Sequence, residues 1–141
     1  MTRIVQLLQQ KNHYLEKFFS LNESELLGFK QGRFDSLEYF YQTREKILEQ
    51  LRYIDGQLAK TQEDLPIEER PHRDIREEVM NHLAMKDQYV REILNQDLQI
   101  LACIEEAKSA IIRELQEVRR SKRAVSGYKS KPMNHRLNEE A

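Results

Sequence analysis

The stretch Val79–Val125, VMNHLAMKDQYVREILNQDLQILACIEEAKSAIIRELQEVRRSKRAV, contains no glycine and no proline. A run at three- and four-residue spacing threads it: Val79, Leu83, Lys86, Val90, Ile93, Asp97, Ile100, Ile104, Ala107, Ile111, Leu115, Val118, Lys122 and Val125. Eleven of these fourteen positions are apolar. That recurrence is the mark of an amphipathic helix with one greasy face. The passage from Ala107 through Ile111 to Leu115 takes two steps of four, a stutter that locally relaxes a coiled-coil repeat. With Pro71 before it and Gly127 after it, the spacing predicts a helix over about 72–126.

Working back from this rod, Glu63–Pro71 carries two prolines among acidic residues and reads as a loop. A second helix is expected over about 35–61. Leu37, Phe40, Arg44, Ile47, Leu51, Ile54 and Leu58 form its stripe, with Arg44 the only polar member. Asp35 and Glu38 have capping-box spacing, and Phe34 and Tyr39 stand where a hydrophobic staple would form. Gly56 lies within the stripe at a cost of roughly 1 kcal/mol against alanine. A first helix is expected over about 2–29 from Ile4, Leu7, Leu8, Tyr14, Leu15, Phe18, Leu21 and Leu26. Gly28 and Gly32 bracket its end, where a left-handed cap suits glycine.

The composition agrees. Among 141 residues there are 4 glycines and 3 prolines, too few turns for an all-β or α/β fold. The expected fold is all-α: an antiparallel three-helix bundle or coiled coil over 1–127 with a long C-terminal helix, then a flexible polar tail over 128–141. No segment approaches the ~20 consecutive apolar residues of a membrane span. The N-terminus has no signal-peptide core, so the expected location is the cytoplasm.

Lengths raise the functional question. At 1.5 Å per residue the first two helices reach ~40 Å and the third ~80 Å. A hairpin of the first two covers half of the third. The other half carries Ile100, Leu101, Ile104, Ile111, Ile112, Leu115 and Val118. Three arrangements would cover it: a client protein, a second copy in a homodimer, or a bend that buries it within the chain. Charge is segregated along the same helix. Residues 1–107 hold 14 Lys/Arg and 20 Asp/Glu, whereas 108–136 hold 9 and 2. Arg113, Arg119, Arg120, Lys122 and Arg123 form a basic rim that suits the negative end of a helix dipole.

The residues give little support to chemistry. His13, His72, His82 and His135 show no i, i+4 pairing or cysteine neighbour at metal spacing, so no metal site is expected. Cys103 lies in the apolar part of the third helix and reads as a small hydrophobe. No glycine-rich phosphate cradle is present, and no cofactor or catalytic residue is expected. Nine of eleven aromatics fall in the first 53 residues, while the basic segment has only Tyr128. That separation argues against a base-stacking nucleic-acid surface. Arg44, Lys86 and Asp97 interrupt apolar stripes either as edge positions reaching water or as polar residues fixing helix register.

Leu21–Leu37, LNESELLGFKQGRFDSL, resembles the first turn region of the FlgN/FliT class of flagellar export chaperones. Arg44–Leu48, REKIL, is similar to the charged-then-apolar second helix of that class. Lys122–Lys129, KRAVSGYK, resembles the end of its C-terminal helix. The resemblance implies a small helical cytoplasmic protein that is not an enzyme. It implies a role in holding an amphipathic helix of a flagellar subunit, of the hook-filament junction type, before type III export. Carried onto this chain, it places the client on Ile100, Ile104, Ile111, Leu115 and Val118. Tyr128 becomes a candidate for docking to the export apparatus. The alternative is a self-assembling coiled-coil scaffold or adaptor with no released client.

Overall fold

The computed structural model describes residues 2–64 and 73–129. It consists of α1 (Arg3–Lys30), α2 (Leu37–Asp64) and α3 (Arg73–Lys129), with no strand among the described residues. The fold is all-α, as expected. The proline-bounded loop at 65–72 and residues 130–141 of the expected tail lie outside the described residues. The chain divides into two compact units, Met1–Cys103 and Ile104–Ala141.

Unit one is a three-helix bundle. The Thr2 hydroxyl accepts from the Val5 N–H at 3.5 Å and caps α1. The α1 stripe buries Val5, Leu7, Leu8, Leu15, Phe18, Leu26 and Phe29. Its C-terminus closes in a Schellman motif: the Arg33 N–H donates to Gly28 O at 2.9 Å, and the Gly32 N–H to Phe29 O at 3.0 Å. Gly32 has φ +78°, the left-handed conformation that glycine adopts without a steric penalty.

The start of α2 differs from expectation. The Phe40 N–H donates to Ser36 O at 2.8 Å, so Ser36, not Asp35, is the N-cap. Asp35 is exposed, and the Ser36 hydroxyl donates to the Glu25 carboxylate of α1 at 2.5 Å. With the cap moved by one residue, Tyr39 points outward at 61% exposure. Phe40 takes the inner place at 0%. Phe34 stacks on Phe29 with centroids 5.3 Å apart, and Phe29 meets Phe40 edge-on at 5.3 Å. This aromatic trio holds the hairpin tip in place of the expected Phe34–Tyr39 staple.

Along α2, Phe40, Ile47, Leu51 and Ile54 are buried, and Leu37, Arg44 and Leu58 are half-buried, so the whole expected stripe faces inward. The central cluster is Leu15, Phe18, Ile47, Leu51 and Ile93, with Tyr14, Phe19, Leu21, Leu48 and Tyr89 against it. On α3, Tyr89 takes the inner position that the sequence pattern assigns to Val90, which is 36% exposed.

Polar groups fix how α3 lies in the bundle. The Asn12 amide donates to His82 O at 3.0 Å, the Gln96 amide to Phe19 O at 3.1 Å, and the Asn22 amide to Asp97 Oδ1 at 3.1 Å. Residue numbers rise together on α1 and α3, so these helices run parallel. Lys11 paired with Asp55 and Phe29 packed on Phe40 show α2 running against both, since its numbers fall as those of α1 rise. The offset of 75 residues at Asn22–Asp97, the link nearest the end of α1, sets Leu26 in the last turns of α1 level with Leu101. That is where unit one ends.

Unit two contains the continuation of α3 from Ile104. The helix runs through Gly127 to Lys129, three residues beyond the expected stop. Glycine at this position weakens a helix without terminating it, because no left-handed turn is imposed there.

Candidate functional site

Two groupings of residues stand out, one in each unit. In unit one, Asp97 joins three helices. Its Oδ1 accepts from the Asn22 amide and its Oδ2 from Arg44 Nη2 at 3.2 Å. The Arg44 guanidinium lies over Phe18 at 4.7 Å and Phe40 at 5.0 Å from the ring centroids. This is the arrangement in which Arg44 and Asp97 fix register; neither is a free edge residue. Lys86, the third interrupter, pairs with its neighbour Asp87 at 2.8 Å. The lysine ammonium, by its hydrogen bond and its charge, holds the Asp87 carboxyl below the usual carboxylate range. Asn22 and Phe40 beneath the pair are fully buried, while 32% of the Asp97 side chain stays exposed.

In unit two the side chains are open. Ile111 is 56% exposed, Ile112 55%, Leu115 54% and Val118 50%. These four expected site residues share one broad face of α3, and Val125, at 51%, extends it. Ile104 opens the unit and is half-buried. Arg113, Arg119, Arg120, Lys122 and Arg123 are all exposed; helical spacing sets Lys122 and Arg119 on this face, Arg123 at its edge, and Arg113 and Arg120 on the opposite side. Val118 and Val125 floor a shallow hollow walled by Glu114, Glu117 and Lys122. Its lining mixes two valines with charges of both signs.

Two expected site residues belong to unit one. Ile100 is 3% exposed and is part of the core, so it is withdrawn from the docking face. Its position level with the end of α1 explains this, since the hairpin reaches farther along α3 than helix length alone suggests. Leu101 is 54% exposed, together with Leu94 at 58% and Leu98 at 68%. The pattern 94, 98, 101 is legible as a second apolar stripe, which the single-stripe reading of α3 passed over. The backbone of Tyr128 lies in the last turn of α3, and its side chain lies outside the described ones.

Among the described residues no group of three or more His, Cys, Asp or Glu is placed to hold a metal ion. Cys103 is a free, half-buried thiol. His13 and His82 fall among the described residues, and His72 and His135 outside them. No helix among the described residues is long and apolar enough to cross a membrane. Compared with family models, with curated proteins and with solved structures, the chain matches none.

Proposed function

We propose that this protein is a helical chaperone that holds an amphipathic helix of a client on the open face of unit two. The observation that carries the reading is the exposure of Ile111, Ile112, Leu115 and Val118 on one helix face, with Arg119, Lys122 and Arg123 on it or at its edge. Scattered exposed apolar residues need no explanation, but a contiguous face does. Arg119, Lys122 and Arg123 select a client helix with an acidic flank, since complementary charge steers encounter and rejects wrong partners.

The resemblance to the FlgN/FliT class makes the reading more specific: the client is a flagellar subunit of the hook-filament junction type, held in the cytoplasm before type III export, and the protein carries out no catalysis. Tyr128 is the residue proposed to meet the export apparatus.

Co-purification from native cytosol, followed by titration of a synthetic peptide of the captured subunit's C-terminal helix, tests this. The expected result is saturable one-to-one binding that Ile111→Asp/Leu115→Asp abolishes while helical circular dichroism is kept. Both residues are more than half exposed, so the substitutions do not unfold the bundle. Binding unaffected by the double variant overturns the site. Failure to recover any flagellar subunit overturns the client.

A further inference from the structure

The unit-two face has a pattern of its own beyond being apolar. Ile104, Lys108, Ile111, Leu115, Val118, Lys122 and Val125 follow an unbroken four-three spacing once Lys108 is taken in place of Ala107. That is a heptad seam. One seam position is β-branched throughout (Ile104, Ile111, Val118, Val125), and the other reads Lys108, Leu115, Lys122. Ile112 lies one residue off the seam and is still apolar and 55% exposed.

We propose that this face is closed by a second copy of the chain, as an antiparallel two-stranded coiled coil over Ile104–Val125. Two copies set parallel would place Lys108 against Lys108 and Lys122 against Lys122 in the core layers, where like charges are desolvated together. An antiparallel pairing centred at Arg113 removes both clashes. Lys108 then lies opposite Val118 of the second copy, Lys122 opposite Ile104, and Ile111 opposite Leu115. Each lysine stem covers an aliphatic neighbour while its ammonium reaches water.

The flanks agree. On one edge Ile112 packs on Ile112 of the second copy, which gives this off-seam isoleucine a reason to be apolar. On the same edge Glu105 meets Arg119 of the second copy, twice by symmetry. On the other edge Glu114 meets Glu114, a single repulsive contact that keeps the association reversible. A seam of this length buries on the order of 1,200 Å², the low end for a specific complex.

The pairing stands without the client reading. Only one consequence rests on it: the client and the second copy would exclude each other from the same residues.

Sedimentation equilibrium of the full chain across the micromolar range tests the pairing, with circular dichroism to verify that each variant stays helical. The wild type is expected to dimerise. Arg119→Glu weakens the dimer about tenfold or more, and Glu105→Arg/Arg119→Glu restores it, as expected for a desolvated charge pair. A chain that stays monomeric overturns the proposal, and so does a dimer indifferent to Arg119→Glu. Rescue by Glu114→Arg in place of Glu105→Arg also overturns it, because that pairing belongs to a parallel coil. None of these outcomes decides client binding, which the peptide titration reads separately.

Discussion

Arg44 of α2 and Asp97 of α3 form an ion pair at 3.2 Å, with 19% and 32% of their side chains exposed. The pair is half-sheltered, and its value lies in what happens when one member is lost. Asp97→Ala leaves a guanidinium held over two phenylalanines with no counter-charge, and it orphans the Asn22 amide in a fully buried position. We expect a loss of about 2 kcal/mol in urea unfolding, below the 3–5 kcal/mol of fully buried pairs because water still reaches this one. Arg44→Met/Asp97→Leu should recover part of the loss. If the double variant is less stable than Asp97→Ala, the pair contributes more than the avoidance of an orphaned charge.

Two glycines of the hairpin, Gly32 and Gly56, make opposite predictions. Gly32 has φ +78°, where a β-carbon is strained whatever the surrounding space. Gly32→Ala should cost about 1 kcal/mol or more. Gly56 lies inside α2, and an added β-carbon would meet nothing within 4 Å. Gly56→Ala should therefore stabilise by about 0.5–1 kcal/mol. Thermal unfolding followed at the helical band checks both, and equal effects of one sign would contradict the backbone account.

These contrasts show what was legible in the sequence. The inward stripe of α2 was readable residue by residue, because burial of one helix face imposes a period that survives in the residue types. The α1 cap was readable because Gly32 alone supplies the left-handed turn. The α2 cap was not, since Ser36 and Asp35 are both good caps and only the packing of Phe40 under Phe29 decides between them. Ile100 was misassigned because helix lengths do not fix the offset between helices; three buried amides do. Asn12 and Asn22 fall on the apolar stripe of α1, so their presence was visible. Their partners on α3 were not, because a hydrogen bond across the bundle leaves no local spacing.

Those amides make a third prediction. Asn12, Asn22 and Gln96 each donate one hydrogen bond while their own carbonyl oxygens lack a partner among the described residues. Half-satisfied buried amides cost stability and specify register. Asn12→Leu removes the unpaired oxygen at similar volume and should be neutral or stabilising by about 1 kcal/mol in urea. The compensating loss is in specificity. Native-state hydrogen exchange of α3 amides near His82 should quicken relative to those near Ile93. Slower exchange at His82 would mean that the amide strains the bundle instead of aligning it.

Aspartate substitution at two points of α3 separates core from open face. Ile100 is 3% exposed, and Ile100→Asp places a carboxylate in a buried position now filled by an apolar side chain. A loss of about 3 kcal/mol or more is expected, since the site must take a buried charge or a neutral acid in place of a packed side chain. Ile111, eleven residues on, is 56% exposed. Ile111→Asp has no desolvation to undergo in the monomer, so its unfolding free energy should change by under about 0.5 kcal/mol. The measurement must be made at low protein concentration, because association that buries Ile111 couples its burial to stability by mass action. A cost at Ile111 that grows with concentration is then the signature of a face covered by another molecule. A large cost independent of concentration would mean that the chain buries Ile111 itself, and unit two would have no open face to offer.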